Sequence, residues 1–383
     1  MTRLRVLHCP HGIAGNPQQI ARAERDLGLD SRSIMFTAHA FGYPADETLM
    51  QPGQSKFALE RHRWRLLWRA IRDFDVIHFN FGTTIMPTPN DHIPPGYPAP
   101  IRAVYNGYAR LLHLRDLPLL KRLGKGIAIT YQGDDARQGD YCLSHFEITY
   151  APEVEEGYYS PASDAQKRRD IAYVAQYADR IYALNPDLLH MLTPNAEFLP
   201  YASVDPREWQ PIETTKRADQ PLTVLHAPSH RGVKGTAYIL AAVERLQAEG
   251  IPVELLLIEN MQHAEARKAY ERADVLIDQL LGGWYGGLAV ELMALAKPVI
   301  CYLREGDLGF LPADMRADLP IINATPNTIY EVLKLWVTTR RGELPELGHK
   351  SRAYVERWHD PLKIAARLKV DYEMCLRTSH KTR

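Results

Sequence analysis

Residues 273–302 read ADVLIDQLLGGWYGGLAVELMALAKPVICY and place a strand, a turn, a helix and a second strand in succession. The apolar run at 275–277 predicts a buried strand that ends at Asp278. Apolar side chains recur at helical spacing from Leu288, and Pro298 ends that helix before the next apolar run. Four glycines lie in the turn, where a backbone without Cβ atoms lets a ligand come close. In an open parallel sheet, such a turn lies at the carboxyl edge, where ligands bind.

A second turn of this kind lies at residues 226–236, HAPSHRGVKGT, between the apolar run at 222–226 and a helical segment. It offers Arg231 and Lys234, a planar guanidinium and a compact ammonium that both suit phosphate oxygens. The glycine spacing of a Walker loop is missing. A solvated surface turn is the alternative interpretation.

These two segments resemble the C-terminal signature of the glycosyltransferase group 1 family, whose members are retaining nucleotide-sugar enzymes of GT-B fold. In that signature a glutamate, seven residues and a second glutamate hold the donor. Glu291 matches the second glutamate, and Gly283 stands at the position of the first. The resemblance implies that Glu291 binds a ribose while Arg231 and Lys234 grip the diphosphate. The departure at Gly283 implies that the Gly-Trp-Tyr-Gly stretch replaces the first glutamate or that the sugar is held differently.

The resemblance also predicts a wider set of donor-binding residues around the catalytic trio of Arg231, Lys234 and Glu291. His263 follows the strand at 253–258, where the family holds the nucleotide base, although a helix cap or a surface position is the alternative. Other members come from the glycine turn. The remaining two are the glycines of the first loop, which precede a helix and indicate ligand contact, with an ordinary tight turn as an equal alternative. The set is Gly12, Gly15, His263, Gly283, Trp284, Tyr285, Gly286, Gly287 and Leu288.

The first half of the chain begins with an apolar run at 4–8 and a glycine-containing loop that leads into a helix. Asn16 and Pro17 are predicted to be the N-cap and first residue of that helix. Polar residues also lie at or after the ends of the strands expected at 74–79 and 126–131. The predicted acceptor-side residues are Asn16, His78, Asn80, Gln132, Asp134, Asp135 and Arg137.

Residues 132–137, QGDDAR, are similar to the family's His-Gly-x-Asp-x-Arg, with Gln132 in place of the histidine. Two carboxylates and an arginine at a strand end indicate ligand binding, and an ion pair between Asp135 and Arg137 is an equal alternative. The adjacent aspartates are not the spaced Asp-x-Asp of a metal site. We therefore expect no metal and no cofactor, with fixed cations and a helix dipole stabilising the leaving diphosphate.

Residues 61–72, RHRWRLLWRAIR, predict a helix with arginines on one face and an apolar stripe on the other, formed by Trp64, Leu67, Trp68 and Ile71. We expect this stripe to dock on a sheet, and peripheral contact with an anionic membrane is the alternative. The proline-rich residues 84–100 predict either an acceptor-side lid or an insertion without a catalytic part.

The composition limits the class of protein. A chain of 383 residues is long enough for about two domains. Lysine plus arginine and aspartate plus glutamate both total 46, so the net charge does not point to a nucleic-acid partner. Four dispersed cysteines and the lack of a long apolar run predict a cytoplasmic protein, with peripheral contact at the inner face of the membrane left open.

Together these patterns predict an α/β protein of two Rossmann-like domains, and the resemblance implies the GT-B arrangement, with a cleft between the domains. We expect the first domain over residues 1–203, the second over 204–358, and a C-terminal helix over 359–383 that packs back on the first. The resemblance implies metal-independent transfer, with retention, of a hexose-type sugar from a nucleoside diphosphate to a glycan or lipid-linked acceptor in cell-surface polysaccharide biosynthesis. The alternatives are a nucleotide-sugar epimerase or hydrolase and a non-catalytic sugar-nucleotide-binding protein.

Overall fold

The computed structural model describes residues 3–12, 14–39, 42–89, 98–212 and 220–381, with side chains as far as Arg377. It contains two parallel sheets, one of seven strands and one of five. The predicted pair of Rossmann-like domains is therefore confirmed. The domain boundaries stay a prediction. Residues 90–97 of the proline-rich loop and residues 213–219, which precede the first strand of the second sheet, lie outside the described residues.

The first sheet consists of β1 (Arg5–Cys9), β2 (Asp30–Met35), β3 (Glu47–Thr48), β4 (Val76–Asn80), β5 (Gly126–Tyr131), β6 (Arg180–Ala183) and β7 (Ala196–Phe198). Its order is β3-β2-β1-β4-β5-β6-β7. The central strands β4 and β5 are buried along their whole length, because helices cover both faces of a parallel sheet. The register pairs Val6 with Val76 and Ile77 with Ile127, so the carboxyl ends of β1, β4 and β5 meet at one edge.

The second sheet consists of β8 (Leu222–His226), β9 (Val253–Leu257), β10 (Val275–Ile277), β11 (Val299–Cys301) and β12 (Ile321–Asn323). Its order is β12-β11-β10-β8-β9. β8 and β10 are neighbours, with Val275 paired to Val224. The turns after β8 and β10, which the sequence analysis singled out, therefore lie side by side at the carboxyl edge.

The helices are α1 (Asn16–Asp26), α2 (Lys56–Asp73), α3 (Ala99–Leu112), α4 (Asp116–Arg122), α5 (Gly139–His145), α6 (Pro161–Val174), α7 (Arg231–Lys234), α8 (Thr236–Ala248), α9 (His263–Tyr270), α10 (Gly287–Ala294), α11 (Ala313–Ala317), α12 (Ile329–Thr338), α13 (Leu344–Trp358) and α14 (Pro361–Lys381). Short 3₁₀ turns lie at Pro186–His190, Glu305–Phe310 and Arg341–Glu343.

The last helix crosses back to the first domain, as predicted. In α14, the Tyr372 hydroxyl lies 2.6 Å from Nδ1 of His78 in β4, and Asp371 accepts a hydrogen bond of 2.7 Å from the Tyr182 hydroxyl in β6. Leu368 of α14 belongs to an apolar core that continues from the first sheet into the second domain. The C-terminal helix therefore packs on the first domain and contributes to a core that both domains share.

Two helices begin or end where the sequence did not indicate. The sequence at 101–122 predicts a single helix, but the chain breaks between α3 and α4, where Leu114 adopts a φ of 59°. The sequence also predicts a helix at 170–178, and in the structure this helix begins earlier, at Pro161. Ser160 explains that start, because its hydroxyl accepts a hydrogen bond of 3.1 Å from the Ser163 N–H and caps the helix.

The helix over residues 61–72 docks with a face different from the predicted one. Leu66, Leu67 and Ala70 of α2 are buried, whereas Trp64 and Trp68 are 48% and 55% exposed. Arg63 is buried beneath α2, where its guanidinium donates a hydrogen bond of 2.9 Å to the carbonyl of Ile85. The two tryptophans of the predicted stripe therefore do not pack on the sheet, whereas its Leu67 and Ile71 do.

Candidate functional site

A cavity of about 250 Å³ opens between the two domains. Its walls come from loops after β1, β2, β8 and β9 and from the start of α10. The carboxyl edges of both sheets therefore face the cavity. Ligands of open parallel sheets usually bind at this edge. The cavity is lined by Ala14, His39, Tyr43, Ala227, Pro228, Ser229, Lys234, Ile258, Glu259, Asn260, Met261, His263, Ala266, Tyr270, Gly287, Leu288 and Glu291.

Lys234 lies beside the start of α10, and the turn after β10 determines its position. Asp278 is buried at the end of β10, where one carboxylate oxygen accepts a hydrogen bond of 2.9 Å from the Lys234 ammonium. Its other oxygen accepts 2.6 Å from the Gly286 N–H. A buried carboxylate thus holds a cation at a helix N-terminus, a combination that favours phosphate. The sequence analysis did not assign Asp278, although its place at a strand end was the available signal.

Gly287 lies where the two domains meet, with space for an ordinary contact. A Cβ at this position would lie 3.5 Å from Cβ of Ala14 and 3.8 Å from the Ser203 hydroxyl. Leu288, the next residue of α10, also lines the cavity. Both residues were predicted to bind the donor, and the structure places them where a ligand would touch the helix N-terminus.

Arg231 occupies a different position from Lys234. Its guanidinium donates 2.8 and 2.6 Å to the two oxygens of Glu259, and its side chain is 58% exposed. It starts the short helix α7, which His230 caps by accepting 3.3 Å from the Val233 N–H. Of the two predicted phosphate cations, only Lys234 therefore lines the cavity, while Arg231 stands at its rim in an ion pair.

Glu291 lies in the second turn of α10 and is almost fully buried. Its Oε1 atom accepts 3.0 Å from the Tyr43 hydroxyl and lies 2.8 Å from Nε2 of His263. Burial and the neighbouring Glu291 carboxylate raise the pKa of Tyr43, so this phenol remains a donor. The structure therefore brings the predicted residues Glu291 and His263 together and adds Tyr43 from the first domain.

Tyr43 and His39 are functional candidates that the sequence analysis missed. Their rings pack 5.0 Å apart, and the Tyr43 ring lies 4.4 Å from that of His263. Burial and the nearby His263 lower the pKa of His39, which favours a neutral imidazole. Gly15 makes room for this group, because its φ is 72° and a Cβ there would lie 2.6 Å from Cδ1 of Tyr43. Nothing local in the sequence marks Tyr43, since its partner Glu291 lies 248 residues away.

The position of the family's first glutamate is filled by an arginine. Gly283 has a φ of 79°, and a Cβ at this position would lie 2.6 Å from Nη1 of Arg304. The Arg304 guanidinium also donates 2.7 Å to Asp307 and 2.9 Å to the carbonyl of Ile148. A cation thus stands where the family's pattern has a carboxylate. Arg304 is a residue that the sequence analysis did not single out.

Trp284 and Tyr285 are packing residues rather than donor contacts through their side chains. Both side chains are fully buried, with ring centroids 4.2 Å apart. The Tyr285 hydroxyl lies 3.0 Å from that of Tyr354 and 2.9 Å from Nε2 of His359. A donor contact of these two residues therefore has to come from their backbone, because their aromatic rings belong to the core.

In the first domain, the predicted site residues Asn16 and Gly12 also make contacts within the protein. Gly15, in a left-handed conformation, occupies the cap of α1, and Asn16 lies inside the helix. The predicted N-cap role of Asn16 is therefore wrong. Its side-chain oxygen instead accepts 2.7 Å from the Ala202 N–H, because the chain between the domains passes over it. Gly12 lies against the amide of Gln18, outside the residues that line the cavity.

His78 is fully buried and cannot reach an acceptor. Its ring nitrogens contact the hydroxyls of Tyr372 at 2.6 Å and Thr130 at 2.7 Å. Burial and the adjacent His8 hold the pKa of His78 well below its usual value, so it is neutral. Asn80 is also buried and donates 3.2 Å to the carbonyl of His78. Both predicted acceptor-side residues serve the sheet, because α14 covers this part of it.

The polar cluster after β5 has two parts. Arg137 and Asp134 are engaged by other side chains of the protein, whereas the Gln132 amide is left for a ligand. Arg137 donates hydrogen bonds of 2.5 and 3.0 Å to the buried Asp187, so it forms an ion pair with this residue and not with Asp135, the partner in the alternative interpretation. Asp134 accepts hydrogen bonds of 2.5 to 2.6 Å from three tyrosine hydroxyls, those of Tyr150, Tyr158 and Tyr159. Burial opposes ionisation of Asp134, but Arg137 and these hydroxyls hold its pKa below the usual value.

Asp135 and Gln132 form the second part of this cluster, which could contact a ligand. Asp135 accepts 3.0 Å from the Gln132 N–H and 2.6 Å from the Gly133 N–H, and burial raises its pKa to about 6. The Gln132 side chain is buried, yet neither of its amide atoms has a hydrogen-bond partner among the described residues. An orphaned buried amide is costly, and a bound ligand would satisfy it.

The segment at 146–160 reaches from the first domain to the second. Tyr238 of α8 donates 2.7 Å to Glu153, and Nε2 of His230 lies 3.1 Å from Glu155. The tyrosines that surround Asp134 belong to this same segment. The structure therefore joins the cluster after β5 to the turn that carries Lys234.

Three solved structures share this fold over nearly the whole chain. Sucrose-phosphate synthase from Thermosynechococcus elongatus is 13% identical with a TM-score of 0.58, and the match covers 98% of this chain and 100% of that one. Anabaena HepE in complex with UDP-glucose is 11% identical with a TM-score of 0.59, covering 97% and 100%. S. aureus MnaA, solved with UDP, is 12% identical with a TM-score of 0.52, covering 98% of each chain.

No protein-family model and no curated protein sequence matches this chain. Identities of 11 to 13% support a shared fold and nothing finer. The two-domain GT-B arrangement expected from the resemblance is therefore confirmed at the level of fold.

Proposed function

We propose that this chain is a glycosyltransferase that binds a nucleoside-diphosphate sugar in the interdomain cavity and moves its hexose-type sugar to a glycan or lipid-linked acceptor. The observation that carries this proposal is the placement of Lys234 and Glu291 on the walls of one cavity at the start of α10. The fold neighbours named for UDP-glucose and UDP support a uridine diphosphate donor as the first to test.

In this proposal Lys234 and the N-terminus of α10 bind the diphosphate. The Lys234 ammonium has three donors, of which Asp278 uses one at 2.9 Å. The remaining donors and the free N–H groups at the start of α10 stabilise the charge that develops on the leaving phosphate. Because these are fixed positive groups, the proposed transfer needs no metal ion.

Glu291 binds the ribose in this proposal. Its Oε1 atom is held by Tyr43 and His263, which orient the carboxylate and leave Oε2 for a ribose hydroxyl. Tyr270 and Leu288 supply apolar walls of the kind that hold a nucleoside. Tyr43 comes from the first domain, so a bound nucleotide would touch both domains at once.

The acceptor enters from the first domain, against the loops after β1, β4 and β5. The unpartnered Gln132 amide suits sugar hydroxyls, which both donate and accept hydrogen bonds. As the resemblance implies for a retaining enzyme of this kind, the proposed transfer uses no covalent nucleophile. Cell-surface polysaccharide biosynthesis in the cytoplasm, close to the inner membrane face, is the setting that we propose.

Thermal unfolding against UDP, GDP, ADP, TDP and their sugars tests the donor half of the proposal. The series is run first with a chelator and then with magnesium. A ligand at 100 times its dissociation constant adds about 2.7 kcal/mol to the free energy of unfolding and raises the melting temperature. We expect one diphosphate and its sugars to do so without metal. No shift with any nucleotide would contradict the proposal.

Product analysis with the stabilising donor tests the transfer itself. We expect sugar to appear on an added glycan or lipid-linked acceptor, with little donor consumed in its absence. Donor consumed equally without acceptor would favour the epimerase or hydrolase alternative. Tight nucleotide binding without turnover, with or without acceptor, would favour a non-catalytic binding protein. This outcome is tested because Arg304 lies beside Gly283, which stands at the position of the family's first glutamate.

A further inference from the structure

Helix α3 carries an apolar face that no part of the described structure covers. Of its residues, only Ala109 is buried. Val104 is 74% exposed, and Ile101 and Leu111 are also exposed on the same side, at a spacing of three and seven residues. An amphipathic helix normally packs its apolar face inward, so this one is suited to a partner outside the domain.

Helix α2 adds aromatic side chains to the same surface. Phe57 is 78% exposed, and Trp64 and Trp68 follow it at seven and eleven residues, which places all three on one side of the helix. The Trp64 indole N–H donates 3.0 Å to the Tyr108 hydroxyl of α3, so the two helices are linked. Exposed tryptophans with a satisfied N–H are typical of contact with a membrane interface.

A groove of about 620 Å³ lies between the two helices. Phe57, Ile101 and Val104 are among the residues that line it. Among the described residues that line it, Glu60 is the only acidic one. Both of its carboxylate oxygens are engaged, accepting hydrogen bonds of 2.8 Å from the Tyr105 hydroxyl and 2.9 Å from the Tyr108 hydroxyl. The polar groups of the lining thus bond largely to one another, leaving an apolar groove long enough to hold part of a hydrocarbon chain.

The charge of this surface is strongly basic, although the whole chain is neutral. Arg63 is buried, and the basic residues of α2 and α3 that remain at the surface are Lys56, Arg61, Arg65, Arg69, Arg72, Arg102 and Arg110. Arg69 pairs with Glu47 and Arg72 with Asp73. Arg61, Arg65 and Arg72 are exposed and alternate with the tryptophans along α2. Long basic side chains beside indoles and aliphatic groups complement a layer of anionic headgroups over hydrocarbon.

We propose that the surface formed by α2 and α3 docks on a lipid bilayer that contains anionic lipid, with an apolar chain entering the groove. The basic rim selects this occupant over a second copy of the neutral chain or an apolar protein partner. No helix among the described residues is long and apolar enough to cross a membrane, so the contact is peripheral.

The location of the surface connects it with the acceptor side of the cleft. α2 follows β3, and α3 follows β4, so both helices start at the carboxyl edge of the first sheet. Arg63 also ties α2 to Ile85, in the loop that leaves β4. A bilayer docked here lies beside the loops where the proposed acceptor enters, although the docking does not depend on the proposed transfer.

Flotation of the full-length protein with vesicles tests the docking. We compare vesicles of phosphatidylcholine alone with an equal mixture of phosphatidylcholine and phosphatidylglycerol, at low and high salt. We expect binding to the mixture only, weakened by salt because screening reduces the attraction of the arginines. Val104→Glu should lower binding at least about tenfold, and Arg61→Glu with Arg65→Glu should lower it by about fivefold for each arginine removed.

Matched controls are available on other surfaces. Val370 of α14 is 56% exposed, and Arg169 and Arg272 are exposed arginines outside the proposed surface. Val370→Glu and the pair Arg169→Glu with Arg272→Glu should leave vesicle binding unchanged. Melting temperatures without lipid verify that each variant is folded.

Several results would overturn the docking. They are no binding to anionic vesicles, equal binding to phosphatidylcholine alone, and binding that survives Val104→Glu. A dimer that Val104→Glu dissociates, in a protein that ignores vesicles, would assign the surface to a second copy instead. Stabilisation by the sugar nucleotide is measured on the same variants and should be unchanged, so failure of the docking and failure of the proposed transfer are distinguishable.

Discussion

The carboxyl edges of the two sheets use their polar side chains differently. In the second domain, Lys234, His263 and Glu291 line an open cavity. In the first domain, most of the predicted side chains are occupied by contacts within the protein, as in Asn16, His78, Asn80, Asp134 and Arg137. The cause is coverage, since α14 packs on the sheet at His78, the chain at 201–203 passes over Asn16, and the segment at 146–160 surrounds Asp134. A polar residue at a strand end faces a ligand only where no distant segment covers it.

The largest effect that we predict tests the structural side of this comparison. Arg137→Met leaves the buried Asp187 without its partner and should lower the free energy of unfolding by about 3 to 5 kcal/mol, measured by urea denaturation. Arg168→Met, in an exposed pair with Asp140, is the control and should cost less than about 1 kcal/mol. A stable Arg137→Met protein that has lost acceptor binding would instead place Arg137 in the site.

Lys234 tests the other side of the comparison. Lys234→Ala should lower the turnover of the nucleotide sugar about a hundredfold, equivalent to about 3 kcal/mol of transition-state stabilisation, because the leaving phosphate loses a fixed cation. Lys268→Ala, an exposed lysine of α9, should leave turnover unchanged. The pair Lys234→Ala with Asp278→Asn avoids an unpaired buried carboxylate and should be equally slow. Normal turnover in that pair would remove Lys234 from the phosphate site.

The pH dependence of stability differs in sign between the two edges. Burial lowers the pKa of His226, at the end of β8, from 6.5 to about 4, so stability falls as pH drops from 6.5 toward 4. Burial raises the pKa of Asp135 from 3.8 to about 6, so this carboxyl adds stability as pH drops from 6 toward 3.8. Asp135→Asn removes the gain.

Denaturation of Asp135→Asn at several pH values between 6 and 4 therefore should show a steeper acid loss than the parent protein, by up to about 1.4 kcal/mol per pH unit. His226→Gln should show a shallower one, because the unfolded chain no longer takes up that proton. Equal slopes for Asp135→Asn and the parent protein would mean that Asp135 titrates normally and is open to solvent.

The smallest effect that we predict concerns the side-chain amide of Gln132, at the carboxyl edge of the first sheet. Gln132→Ala removes two buried polar atoms that have no protein partner among the described residues, so stability should change by less than about 1 kcal/mol. Turnover should fall about tenfold, the value of one lost hydrogen bond to substrate. Asn185→Ala is the contrast, because that amide bonds to Gln132 and Tyr201 and should cost stability. Unchanged turnover in Gln132→Ala would leave the first edge without a substrate contact.

Short-range patterns predicted much of the fold. The bounds expected for β5 and β10 are those observed, because apolar runs between a glycine or charged residue and a polar turn are complete local signals. The position of Lys234 beside the start of α10 also follows from two neighbouring turns. The three-residue β12 and the two-residue β3 were missed, since runs so short carry no periodicity.

The candidate site was predictable only in part, and distance along the chain explains the difference. Lys234 and Glu291 belong to turns that the sequence marks plainly. Tyr43 meets Glu291 across 248 residues, and Arg304 fills the space beside Gly283 from beyond the next strand. No local pattern encodes such partners, because they depend on how two domains are set against each other.

Local sequence therefore established the parallel strands, the glycine turn and the helix that presents Glu291, since backbone hydrogen bonding and apolar periodicity act over a few residues. Packing between distant segments established which polar side chains remain open to a ligand and which face of α2 is buried. The tryptophans of α2 illustrate the point, because helical spacing groups them but cannot tell which side the sheet will cover. That choice depends on total buried area, to which many elements contribute together.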